Sequence, residues 1–170
     1  MDRRIEPRAG GGARARLPAR EHALLASLPD QLRALLTGAD DPTGARARLL
    51  PRAYDDPDPE AEYRELMEEP LVEEKLAAIG AFAATLGDPP AAEAPDEAAG
   101  QVVIDLDPDE AEAWLTAVND ARLALGVIAG IETEEQWEEA SFTDPAHAAL
   151  LYLGLLQEEL LDVLAGRLDA

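Results

Sequence analysis

Residues 107–128 read DPDEAEAWLTAVNDARLALGVI, and this stretch decides the fold class. Asp107 is placed to cap a helix, Pro108 suits its first turn, and Glu110 falls where a capping box needs an acid. The spacing predicts a helix from there to about Gly130. Trp114, Val118, Ala121, Leu125 and Ile128 form one apolar stripe, flanked by Ala113, Ala117 and Ala124, which permit close helix approach. Leu123 and Val127 lie on the far side. A helix apolar on most sides is normally buried, so this one belongs at the centre of the fold. The Leu-rich segment after Asp144-Pro145, carrying Leu150, Leu153, Leu156 and Leu160, is its expected partner.

Working outward, helices are expected from Pro18 to Gly38, over about 45–50, from Pro59 to about Glu68, and from Pro70 to Gly87. Pro29 should kink or split the first, because its ring removes a backbone donor and crowds the preceding turn. Thr133 with Gln136 is a second capping pattern, opening a short acidic helix. Only 13–17 and 101–106 look like strands. They sit in a weak internal echo, ARARL-PARE and VVIDL-DPDE, and could pair as a two-stranded ribbon laid on the helices. Residues 1–12, ending in Gly10-Gly11-Gly12, read as a mobile Arg/Gly-rich arm. Residues 88–100, DPPAAEAPDEAAG, read as a flexible surface loop. The expectation is a mainly α, single-domain helical bundle over 13–170 with at most a small ribbon.

Composition agrees. Among 170 residues there are 34 Ala and 26 Leu, both strong helix formers, while aromatics are only 4%. No Cys is present, which excludes disulfides, thiolate metal sites and a cysteine nucleophile. No apolar run approaches the roughly 20 residues of a spanning helix, and the charged start does not resemble a signal peptide. A cytoplasmic protein is expected.

Net charge is −22, unevenly spread. Residues 1–52 hold 10 bases and 6 acids, whereas 53–170 hold 4 bases and 30 acids. Such a body repels phosphate backbones and anionic membranes. A protein partner with a basic surface is expected, and no membrane. Nucleic acid could be reached only through Arg3, Arg4, Arg8, Arg14 and Arg16.

The chemistry-bearing residues are few. No phosphate-binding glycine loop or hydrolase motif occurs, and the two Ser are Ser27 and Ser141. Asp144 and His147 lie one turn apart, but Asp144 reads as a helix cap. Glu134-Glu135 and Glu138-Glu139 read as a solvated acidic face. No catalytic residue, metal ligand or cofactor is implied. The candidate binding residues are Trp114, Asn119, Asp120 and Arg122. Arg122 is the only base between Lys75 and Arg167. On the flank of a buried stripe it needs a carboxylate or carbonyl partner, expected first to be an acid from another element, with Asn119 one turn back completing the network. It is read first as a structural pin between helices, and second as an anion site.

AYDDPDPEAEYRELMEEPL and EAEAWLTAVNDARLALGVIAGI together resemble an uncharacterised actinobacterial family, DUF2017. The resemblance runs from ARARL-PARE to the last helix and is most specific over Trp114–Gly126. It implies no known activity. It does imply a genome neighbourhood with the Clp protease N-degron adaptor, a metallo-isopeptidase and a sulfur-carrier cysteine pathway. Some relatives carry a transcriptional-regulator label. The function expected is a non-enzymatic protein–protein interaction or adaptor protein, linked through that neighbourhood to Clp proteolysis or cysteine metabolism. The alternatives are a regulator touching DNA through the Arg-rich start, and an enzyme of unrecognised type.

Overall fold

The computed structural model describes residues 3–38, 40–88, 100–140 and 143–166. In chain order these form β1 (Ile5–Pro7), β2 (Ala13–Pro18), α1 (Ala19–Thr37), α2 (Ala45–Leu49) and α3 (Pro57–Leu86). There follow β3 (Gln101–Leu106), α4 (Pro108–Ile128), α5 (Glu134–Glu138) and α6 (Pro145–Ala165). The protein is mainly helical with a small antiparallel sheet. Most of the expected 88–100 loop lies outside the described residues.

β2 and β3, the two halves of the internal echo, pair antiparallel from Ala13↔Leu106 to Pro18↔Gln101. The sheet has a third strand. β1 pairs with β2, Ile5 opposite Ala15, so residues read as arm are part of the sheet. The glycine run is the hairpin turn between them: Gly10 and Gly11 take φ of 93° and 88°, a region other residues rarely adopt. Gly12 has a different reason to be glycine, since a Cβ there would collide with the Leu106 carbonyl oxygen of β3.

One face of the sheet is apolar, with Ile5, Ala13, Ala15, Leu17, Ile104 and Leu106 buried on the helices. The other carries ion pairs, Arg14–Asp105 at 2.6 Å and Arg16–Glu6 at 3.3 Å. This is the period-2 alternation of a sheet covered on one side.

α4 is central, touching α1, α2, α3, α6 and β3. Its capping box forms as the sequence indicates: Asp107 accepts from the Glu110 N–H, and Glu110 reaches back to the Asp107 N–H. Its buried line is Ala111, Trp114, Ala117, Val118, Ala121 and Ala124. The stripe is therefore rotated toward the alanines, and Ile128, expected on it, is 58% exposed. Small residues let α3 and α6 approach from either side, so the helix turns its Ala edge inward. α4 ends in a Schellman turn, with Gly130 at φ 70° and the Ile131 N–H on the Gly126 carbonyl at 2.8 Å.

Three proline expectations are corrected, that for Pro29 as to splitting only. α1 runs unbroken through Pro29, and Pro18 is the residue before the helix, ending β2. The helices expected on either side of Pro70 are one 30-residue helix, α3. Pro29 is itself buried, so packing offsets its lost bond, whereas Pro70 is exposed and α3 is held in the core further along, by Ile79, Phe82 and Leu86. Among the described residues no helix is long and apolar enough to cross a membrane.

Candidate functional site

α4 does not gather the four residues singled out in the sequence; it divides them between two faces. Trp114 is fully buried. Its ring meets Phe82 of α3 edge-on at 5.1 Å, and its indole N–H donates to Thr85 Oγ1 at 2.7 Å. Asp120, 2% exposed, also faces α3, and accepts from Lys75 Nζ at 2.8 and 3.0 Å. Burial raises the Asp120 carboxyl above the ordinary carboxylate range, and Lys75 only partly opposes it.

Asn119 and Arg122 face α6 instead. Gln157 joins them, its amide donating to Asn119 Oδ1 at 3.0 Å and accepting from Arg122 at 3.2 Å. The partner of Arg122 is thus an amide carbonyl with Asn119 in the network, not the acid expected first. The arginine stem crosses α6 at Gly154, where a Cβ would lie 3.7 Å from Nε, and the guanidinium stays exposed. It therefore needs no charge partner, and the buried charge on α4 is Asp120.

Arg122 also lines a groove of about 260 Å³ that the sequence reading missed. Arg48 of α2, Leu123 and Val127 of α4, Glu134 and Trp137 of α5 and Leu150 of α6 contribute, with Ile131 and Glu132 from the turn into α5. The Schellman turn and the Thr133–Gln136 capping box fold that turn back over the end of α4. Spacing along the chain could not connect Arg48 with Arg122; only the α2–α4 packing does.

A second surface lies along α3. Its C-terminal half is held by Ile79, Phe82 and Leu86 in the core, while residues 61–74 are largely exposed. Leu66, 66% exposed, points outward on a line with Glu62, Glu69 and Glu73. Glu65, Glu69 and Glu73 border an open hollow of about 570 Å³ beside α3, shared with Leu36, Val72, Arg46 and Arg64. Glu68, in the same hollow, is neutralised by Arg46 at 2.8 Å and Arg64 at 3.2 Å, and both arginines hold its carboxyl below the ordinary range. Glu62, Glu65, Glu69 and Glu73 have no ion pair among the described residues. Glutamates spaced three or four apart on an exposed helix repel one another when nothing answers them.

The N-terminal arginines are in the opposite condition. Arg3 pairs with Asp162 at 3.1 Å, Arg4 with Glu21 at 2.7 Å, and Arg8 with Asp105 at 3.6 Å; Arg14 and Arg16 are paired across the sheet. Asp144 caps α6 by accepting from the Ala146 and His147 N–H groups. Among the described residues no group of three or more His, Asp or Glu converges as a metal site.

A central helix buried on five neighbours, a one-sided sheet and an acidic outer helix define a mainly α protein with a small β layer. The chain belongs to the family described as a domain of unknown function, DUF2017, which matches residues 2–164. No curated protein and no solved structure matches it.

Proposed function

We propose that the protein is a non-enzymatic interaction or adaptor protein of the cytoplasm, which docks a basic segment of a protein partner on α3. One observation carries the reading: Glu65, Glu69 and Glu73 border an open hollow near exposed Leu66 and form no ion pair among the described residues, because Arg46 and Arg64 in the same hollow are taken by Glu68 and Glu60. Lys or Arg side chains of a partner would relieve that repulsion, and their stems would cover half-buried Val72 and exposed Leu66. The same charge disfavours phosphate-bearing partners. The regulator reading is further weakened because Arg3, Arg4, Arg8, Arg14 and Arg16 each already hold a carboxylate.

The test is affinity capture at physiological salt with the wild-type chain and with the Glu65→Gln/Glu69→Gln/Glu73→Gln variant. A matched Glu134→Gln/Glu135→Gln/Glu138→Gln variant removes the same charge from α5. A defined partner held by wild type and the α5 variant, and lost from the α3 variant, is expected. Equal retention by both variants, or retention of duplex DNA at low salt in place of a protein, overturns the reading.

A further inference from the structure

We propose that the groove at the C-terminal end of α4 binds a zwitterionic small molecule with an apolar side chain, a free α-amino acid being the simplest of that class. The groove carries both signs of charge. Arg48 and Arg122 line it from α2 and α4, Glu132 from the turn into α5 and Glu134 from the start of that helix. Neither arginine forms an ion pair with these or with any other acid among the described residues. In a chain with 36 acids and 14 bases, nine of the other eleven described bases are paired, all but Arg20 and Arg52, so two arginines without a carboxylate in one concavity stand out.

A simple anion fits this arrangement poorly. The arginines would attract it, but the two glutamates and the −22 net charge would repel it. A cation meets the converse problem. A molecule bearing a carboxylate and an ammonium together answers both pairs, the carboxylate taking the guanidinium donors and the ammonium the glutamates. Trp137, Leu123, Val127 and Leu150 supply the apolar wall for a side chain. The groove volume of about 260 Å³ lies below the roughly 300–1,000 Å³ that drug-sized ligands occupy, which favours a small metabolite. This site is separate from the α3 face, and its test does not depend on that reading.

The test uses the full chain and L-leucine, with N-acetyl-leucine (no ammonium) and leucine amide (no carboxylate) as half-blocked analogues. The indole N–H resonance of Trp137 reports on the groove, and that of Trp114, bonded to Thr85, reports on the core. Expected is a saturable shift at Trp137 alone with L-leucine, at least tenfold weaker binding of each analogue, and at least tenfold loss in Arg122→Gln and Arg48→Gln. Those arginines are not in the core, so both variants should keep the wild-type melting temperature; if one unfolds, Glu132→Gln/Glu134→Gln provides the same test through the ammonium. No Trp137 shift with L-leucine, or N-acetyl-leucine binding as tightly as L-leucine, overturns the proposal.

Discussion

Lys75, the one lysine in the chain, donates to both carboxylate oxygens of Asp120 across the α3–α4 interface. The acid is buried, and the lysine is a fifth exposed. Removing one partner of a buried pair costs about 3–5 kcal/mol, because the other charge is left uncompensated, whereas an apolar replacement of both is often neutral or stabilising. Lys75→Met should therefore destabilise by about 3 kcal/mol, the low end following from the exposure of Lys75. Lys75→Met/Asp120→Leu should recover most of that. Chemical denaturation of the single and double variants at neutral pH checks this; a double variant as unstable as the single one contradicts it.

The same pair has a pH signature. The folded-state value of Asp120 is raised, burial being the main cause, so the folded state holds that proton more tightly than the unfolded state. The contribution of Asp120 to stability then falls as pH rises from the ordinary carboxylate value through the raised one. Without Lys75 the raise is larger. The gap between wild type and Lys75→Met should be widest at neutral pH and close on acidification, when Asp120 is protonated in both. A gap independent of pH would show that Lys75 acts through packing alone.

Glu60 has the opposite sign. Its carboxylate accepts the Tyr54 and Ala53 N–H groups, both at 2.9 Å, and the Arg64 side chain at 2.8 Å. The Tyr54 N–H is the largest cause of its lowered folded-state value. Its contribution is present above the ordinary carboxylate range and is lost as pH falls through the lowered value. Glu60→Gln should lower the melting temperature at neutral pH and converge on wild type in acid. Thermal melts of both chains from pH 7 downward decide it.

The helical framework was legible where local chemistry and periodicity agreed. Asp107, Thr133 and Asp144 announce α4, α5 and α6 within single turns, and the two echoing segments pair as β2 and β3. What the sequence concealed was decided by tertiary contact. Pro29 and Pro70 carry a local signal to break, yet α1 and α3 both continue through them. Gly10-Gly11-Gly12 looks like an arm because a hairpin turn and a flexible tail share composition; buried Ile5 was the clue. The candidate residues on α4 shared a helix but not a face, and Arg48 joined Arg122 only through folding. Arg122 keeps its guanidinium exposed because the alanine edge of α4 faces inward, so an amide carbonyl suffices as its partner.

Gly12 gives a direct test of the sheet. A Cβ at this position meets the Leu106 backbone carbonyl, and backbone cannot move aside as a flexible side chain could. Gly12→Ala should cost about 1–3 kcal/mol, the range for forced overpacking. Gly80→Ala, at a helical position with open space around the added methyl, should be neutral or slightly stabilising through helix propensity. Equal melting temperatures for the two variants would mean that β2 and β3 do not approach as closely as described.

Glu159 holds β1 to the helical layer. One of its carboxylate oxygens accepts the Arg4 N–H at 2.7 Å and the Ile5 N–H at 2.8 Å. Beside it Arg4 is held by Glu21, and the Arg4 carbonyl accepts from the Arg16 N–H of β2 at 2.8 Å. An α6 side chain thus fixes the start of the sheet, and Ile5 is thereby kept in the core. Glu159→Ala leaves two partly buried donors without an acceptor, which costs about 1–3 kcal/mol. Glu159→Gln retains an oxygen acceptor but loses the charge assistance, so it should cost less. Hydrogen exchange separates the local from the global effect. In Glu159→Ala the Arg4, Ile5 and Arg16 amides should exchange faster by a larger factor than those of α4, because β1 can detach while the helices stay packed. Uniform acceleration over β1 and α4 would mean that the strand is not an independently releasable element. Unchanged exchange at Arg4 and Ile5 would mean that Glu159 does not hold it.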